Sequence, residues 1–265
     1  MTNNTRIIAI TRAVPASIAE CELTFQSRVP IDIERARIQH AEYQRVLTEL
    51  GCQIVELPEE PNMPDSVFVE DTAVVFDELA IITRPGAESR RAEIPSVRTA
   101  LARYRALHEI AGNGTLDGGD VLRLGRRVFV GLSTRTNAEG VAQMRSILRE
   151  FDYDVVSVAV SGTLHLKSVA TAIAEDLVVV DPNAIDPASF GTRYVEVAGD
   201  AANMLRVDDT VLAPATAARF AARIAEEGLN VELIDNSELA KAEGALTCCS
   251  LIFNEWRDSP NGTAK

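Results

Sequence analysis

Asp120-Val121-Leu122-Arg123-Leu124 and Arg127-Val128-Phe129-Val130-Gly131-Leu132 read as two short apolar strands separated by a brief turn. Beyond them Val141, Met144, Leu148 and Phe151 recur at helical spacing, which predicts a helix over Ala138–Phe151. Thr136-x-x-Glu139 has the form of a capping box and fixes where that helix starts, leaving Arg135 in the strand-to-helix connection. A third strand follows over Asp154–Val160. The order strand, strand, helix, strand is therefore the unit to look for elsewhere.

Working outward, the unit recurs with a period of roughly fifty residues and can be traced five times. The first copy has a strand at Arg6–Thr11, a helix over Ile33–Leu50 closed by Gly51, and a strand at Gln53–Leu57. The second offers Ser66–Phe76 and Leu79–Thr83, then a helix around Val97–Leu107. The fourth has Lys167–Ala174, Leu177–Val180 and Tyr194–Val197, with only Pro187–Phe190 for a helix. The fifth has Asn203–Val207, Thr210–Leu212, a helix over Ala215–Glu227 closed by Gly228, and Val231–Ile234. A last apolar run, Ala245–Phe253, needs a partner, and the first unit is the natural one. That pairing closes a ring of α/β units. No linker rich in Pro, Gly or Ser divides the chain, so one domain over residues 1–257 is expected, with 258–265 as a disordered polar tail.

Composition narrows the function classes. With 265 residues and 46% hydrophobic content the chain can bury a large core, and no uninterrupted apolar run is long enough to span a membrane. A net charge of −13 argues against nucleic acid, whose phosphates require a basic surface. It suits a cationic small substrate, although acidic surfaces also serve solubility. The start lacks a secretory layout, and Cys21, Cys52, Cys248 and Cys249 form neither a disulfide framework nor a two-by-two metal spacing, so reduced thiols in the cytoplasm are expected.

Three segments carry chemistry. In Glu243-Gly244-Ala245-Leu246-Thr247-Cys248-Cys249-Ser250 two adjacent thiols sit in a strand-like run, so one faces the core while its neighbour can open into a cleft. Among three histidines, His40 falls on an apolar helix stripe and His108 just past a helix end, whereas His165 stands in the turn Leu164-His165-Leu166-Lys167-Ser168. A Cys and a His that meet make an activated nucleophile, and a carboxylate from Leu116-Asp117-Gly118-Gly119-Asp120 can orient the imidazole. In Asp65-Ser66-Val67-Phe68-Val69-Glu70-Asp71 the last two carboxylates interrupt an apolar strand. They require a partner, either Arg84, Arg90 or Arg91, or a cationic ligand.

Taken together, these segments resemble the dimethylarginine dimethylaminohydrolase family of the guanidino-modifying pentein superfamily. The likeness extends to Arg12–Ile18, Glu56-Leu57-Pro58, Ile82–Ala87, Ser89-Arg90-Arg91 and Gly131–Asn137, in one collinear order. It implies a five-bladed α/β propeller around a central active-site channel. The reaction it implies is hydrolysis of Nω-methylated arginine to citrulline and an alkylamine through a covalent cysteine thiouronium. By the same resemblance Cys249 is the nucleophile, His165 the general acid and base, and Asp117 its orienting carboxylate. Asp71 grips the guanidinium with Glu70 in support, Arg90 and Arg135 bind the substrate carboxylate, and Asp65 with the lid backbone near Ile18 holds the ammonium. Ile18 is stiffer than the Leu common at the lid. Cys249→Ser is then expected to abolish turnover and Cys248→Ser to spare it. No cofactor or metal is required, although the vicinal thiols could capture inhibitory Zn²⁺ at Cys249, and a homodimer is compatible with the resemblance. The rival expectations are an arginine deiminase or amidinotransferase, which share the thiol chemistry, and a non-catalytic propeller that only binds.

Overall fold

Residues 6–255 are described by the computed structural model, and their strands form five separate three-stranded sheets. The second sheet contains β3 (Ala73–Val75), β4 (Leu79–Ile82) and β5 (Ala106–Glu109). The third contains β6 (Val121–Leu124), β7 (Arg127–Leu132) and β8 (Asp154–Ala159). The fourth is β9 (Ala170–Ala174), β10 (Leu177–Val180) and β11 (Arg193–Glu196), and the fifth β12 (Leu205–Val207), β13 (Thr210–Pro214) and β14 (Asn230–Ile234). In each, a hairpin joins the first two strands antiparallel, and a crossover brings the third back parallel to the second. The first sheet obeys the same plan with the chain's two ends: β15 (Leu251–Glu255) runs antiparallel to β1 (Arg6–Arg12), which pairs in parallel with β2 (Cys52–Leu57). The ring is closed by that pairing.

The crossovers carry α1 (Ile33–Glu49), α2 (Ile94–Leu101), α3 (Ala138–Arg149) and, in the fifth unit, a 3-10 stretch Ala215–Phe220 running into α4 (Ala221–Ala225). A short α5 (Ser237–Ala240) follows β14. Asp32 caps α1 by accepting from Arg35 N, and the helix buries Ala36, His40, Tyr43 and Leu47. Apolar burial lies between blades. One cluster joins β1 and β15 to the second unit through Ile8, Ile10 and Phe253 against Ile82 and Val97. Others join the second to the third, the third to the fourth and the fourth to the fifth, and the last packs α1 and Leu47 against Val207, Leu212 and Ile234 of the fifth. Each blade thus buries its apolar faces against its neighbours, while polar contacts such as Glu70 with Lys167 reach across the ring. Strands β3, β6, β9, β12 and β15 all line one cavity of about 320 Å³. It is the central channel.

The sequence periods placed every blade and misread the start of the inner strand in three of them. A short 3-10 turn precedes each inner strand: Val69–Thr72, Gly118–Asp120, Leu166–Ser168, Gly199–Ala202 and Thr247–Cys249. The expected strands Ser66–Phe76, Lys167–Ala174 and Ala245–Phe253 therefore each begin later than predicted. Buried carboxylates force the first of these departures, because Glu70 and Asp71 find partners only if the backbone turns there. The helix expected over Val97–Leu107 ends at Leu101, and Leu107 and His108 lie in β5. The cap of α3 is Asn137, whose side chain accepts from Gly140 N, and the Thr136 hydroxyl instead accepts from Asp117 N at 3.1 Å. No helix among the described residues is long and apolar enough to cross a membrane. The expected tail, 258–265, lies outside the described residues.

Candidate active site

Four of the five turns that precede inner strands contribute to one cluster beside the channel. Asp117 stands at the N-cap of the turn before β6, and His165 at the N-cap of the turn before β9. The imidazole Nε2 lies 3.0 Å from Asp117 Oδ2 and 3.9 Å from Asp71 Oδ1. Asp117 is itself fixed, accepting from Gly86 N at 2.8 Å through its other oxygen. Both glycines of Gly118-Gly119 serve close approach. A Cβ at Gly119 would sit 2.6 Å from His165 Nδ1, and one at Gly118 would sit 2.0 Å from the Glu70 carbonyl oxygen. Asp120, the second candidate carboxylate, accepts from Leu166 N at 2.9 Å and from Ser133 Oγ at 2.6 Å, and so supports the backbone that carries His165.

Electrostatics follow from this crowding. Burial alone would lower the imidazole pKa, but the Asp71 charge, the Asp117 hydrogen bond and Asp120 together raise it to about 9. For Asp71 burial works upward and is overcome by His165 and Arg90, leaving it at about 2. His165 is therefore an imidazolium at neutral pH, opposite an ionised Asp71.

The two cysteines face different ways. Cys248 lines a small pocket with His165, Asp71, Asp65, Arg90 and Arg135. Cys249 lines a separate void under α1 with His40, Tyr43, Leu239 and Leu246, and its Sγ lies 3.4 Å from the Ala245 carbonyl oxygen. The expectation that Cys249 is the cleft thiol is thus corrected to Cys248. The cause is local geometry: residues i and i+3 eclipse in a 3-10 turn, so Cys249 falls beneath Leu246, a core residue at 2% exposure. Reading the run as a strand concealed that signal. Burial, then the charges of Glu70 and Asp71, push the Cys248 thiol well up, and burial pushes Cys249 up to about 12. The two thiols, expected to capture Zn²⁺ together at Cys249, line different pockets. Among the described residues the group whose ligand atoms converge is Asp71, Asp117 and His165, in which a hydrogen bond joins His165 to Asp117 and Asp71 lies 3.9 Å from the imidazole.

Other expected residues divide in the same way. Asp65 and Arg135 line the pocket; Asp65 accepts from Glu22 N at 3.1 Å, and Arg135 donates to Thr24 Oγ1 at 3.1 Å. Arg90 also reaches it, but its guanidinium donates to Asp71 Oδ2, both Glu93 oxygens and the carbonyls of Asp65 and Phe68. Those bonds tie Arg90 to Asp71 and Glu93, whereas Arg135, the other expected carboxylate-binding residue, makes a single side-chain bond, to Thr24. Glu70 faces the channel instead, where it accepts from Lys167 Nζ at 2.5 Å and Thr247 Oγ1 at 2.8 Å. Ile18 is fully buried, and its backbone closes a local turn with Pro15 O and Cys21 N. The lid residue that meets the pocket is Glu22, which sequence reasoning missed, as it missed Glu243. Arg84 and Arg91, considered as partners for Glu70 and Asp71, do not fill that place; Lys167 and Arg90 do.

A family model described as N,N dimethylarginine dimethylhydrolase, eukaryotic, matches residues 10–198. The chain is 41% identical over 190 residues to an N(G),N(G)-dimethylarginine dimethylaminohydrolase of Streptomyces coelicolor, covering 71% of this chain and 74% of that one. Among solved structures, a cysteine-to-serine variant of the Pseudomonas aeruginosa enzyme complexed with citrulline superposes with a TM-score of 0.89 at 32% identity, covering 93% of this chain and 98% of that one. A dimethylarginine dimethylaminohydrolase with histidine replaced by glycine, present as an adduct with S-methyl-L-thiocitrulline, gives 0.88 at 32% identity, covering 93% and 99%.

Proposed function

This chain belongs to the dimethylarginine dimethylaminohydrolase family, and from that premise we propose that it hydrolyses Nω-methylated L-arginine to citrulline and an alkylamine, with Cys248 as nucleophile. The observation that carries the reading is a buried thiol sharing one pocket with an imidazolium and four carboxylates, of which Asp65 and Asp71 are buried. A guanidinium is a poor electrophile that stays cationic at neutral pH. It needs a soft nucleophile and a proton for the leaving amine.

In the resting site the Cys248 thiol is held neutral by burial and by the nearby negative charges. An arriving guanidinium reverses the sign of that field, so the thiol proton departs to solvent as the cation binds against Asp71. The thiolate adds to the guanidinium carbon, giving a neutral tetrahedral adduct. His165 donates its proton to the substituted nitrogen, the C–N bond breaks, and the amine leaves with a cationic thiouronium on the sulfur. Now neutral, His165 takes a proton from water as it attacks the same carbon; the sulfur then leaves as the new hydroxyl gives up its proton, which returns the Cys248 thiol and releases neutral citrulline. Asp117 keeps the imidazole oriented throughout, and the charges of Asp71 and Asp120 favour its protonated form. Arg135 and Asp65 suit the carboxylate and ammonium of the substrate's amino-acid end. All four cysteines are free and buried, in keeping with a reducing compartment such as the cytoplasm.

Incubation with asymmetric dimethylarginine, monomethylarginine and arginine in separate reactions tests the proposal by the products. Citrulline with dimethylamine or methylamine is the expected result. Ammonia and citrulline from arginine as the dominant products would make the protein a deiminase.

A further inference from the structure

The pocket that holds Cys248 and His165 has a free volume of about 20 Å³, room for about one water and far too little for an amino acid, so the wall over it must move to admit one. Part of that wall is Glu22, at the start of the exposed segment 22–26. The segment is held at four places. Glu22 N donates to Asp65, Glu22 Oε1 accepts from the Ser89 hydroxyl at 2.7 Å, Thr24 Oγ1 accepts from Arg135, and the backbone N–H groups of Thr24, Phe25 and Gln26 donate to the Glu243 carboxylate at 3.0, 2.5 and 2.6 Å. The Asp65 and Arg135 anchors use the residues proposed above to bind the substrate's ammonium and carboxylate. Substrate therefore competes with them. It leaves the single Ser89 bond and the three bonds to Glu243, which carry the tip of the segment.

We propose that Glu243 is the positioning residue that keeps segment 22–26 closed over the pocket while substrate occupies it, an inference that rests on the hydrolase reading of that pocket. Three successive N–H groups converging on one carboxylate make a charge-assisted nest. The carboxylate's own base is firmly set. Glu243 has φ of +56°, a conformation that side chains larger than Gly rarely adopt. The next residue, Gly244, has no room for a Cβ, which would sit 2.2 Å from the Phe68 ring. Phe68 in turn supplies a carbonyl to Arg90, the partner of Asp71. The latch thus reaches the catalytic carboxylate through fixed contacts.

Two variants separate the latch from folding. Glu243→Gly removes the carboxylate while relieving the left-handed backbone, so it should fold at least as well as the parent. Glu243→Gln retains an acceptor oxygen without the charge and should fall between. In the free protein, trypsin cleavage after Arg28 and iodoacetamide alkylation of Cys248 should each run about tenfold faster in Glu243→Gly. Citrulline, by engaging Asp65 and Arg135, should widen that gap, and KM for methylated arginine should rise by about tenfold with a smaller change in kcat. Unchanged cleavage and alkylation in Glu243→Gly overturn the assignment whatever its turnover. Both readings are possible without substrate, so a parent protein that turns over nothing counts against the hydrolase reading and leaves the latch decided on its own.

Discussion

Cys248 and Cys249 differ by one position and by everything around them. The first shares a pocket with His165, and the second packs under α1 beside Tyr43. Cys248→Ser is accordingly predicted to abolish turnover, while Cys249→Ser keeps most of it, as steady-state kinetics on the two purified variants will decide. A second prediction comes from the imidazole. Its folded pKa of about 9 exceeds the unfolded value near 6.5, so the stability it contributes is complete below about pH 6.5 and is lost as pH rises toward 9. The loss amounts to about 3 kcal/mol at most, and chemical denaturation across that range should show a slope that His165→Asn removes. His40 runs the other way. It is buried, finds no partner for Nε2 among the described residues, and is held down by burial to about 4, so its contribution is lost as pH falls from about 6.5 toward 4. Residue types in the sequence pointed to a thiol, an imidazole and carboxylates. Which thiol and which arginine depended on partners such as Glu93, whose relation to Arg90 an isolated motif does not reveal.

At the scale of elements, one device recurs: a short 3-10 turn before an inner strand, carrying the reactive side chain at or beside its start. Asp71, Asp117, His165 and Cys248 all occupy such turns or their caps. Hairpins and α3 were legible because their periods are local. The turns were not, since what bends them is buried charge paired across blades, as in Glu70 with Lys167 and Thr247. Gly119 shows how tightly the device is packed, its N–H donating to Asp71 Oδ1 at 3.0 Å while its Cα abuts the imidazole. Gly119→Ala should displace His165 and cut kcat by about a hundredfold with circular dichroism unchanged. A retained kcat would show that the ring tolerates the displacement. Asn137→Ala, by contrast, removes the cap of α3 together with the bonds from Thr115 N and to Asn113 O, and should cost about 1 to 3 kcal/mol in denaturant melts.

For the whole molecule, the fivefold repetition and the pairing of the last strand with the first were both legible from hydrophobic periods. What those periods lacked was depth, since they located blades without indicating which turn faced the axis. Closure depends on β15, whose Phe253 packs between the first two blades with the Tyr104 ring 5.3 Å away. Phe253→Ala should lower unfolding free energy by about 3 to 5 kcal/mol, measurable by denaturant titration. Closure also brings Cys248, near the end of the chain, to His165 and Asp71 from other blades. That convergence is tested most directly by acid-quenching the protein during turnover of asymmetric dimethylarginine and mapping the covalent adduct by peptide mass spectrometry. The thiouronium is predicted on Cys248 in the parent protein, and none is predicted from asymmetric dimethylarginine when His165 is replaced by Gly, which removes the proton donor for the leaving amine as well as the group that activates water. An adduct on Cys249, or turnover to citrulline undiminished in Cys248→Ser, would contradict the account.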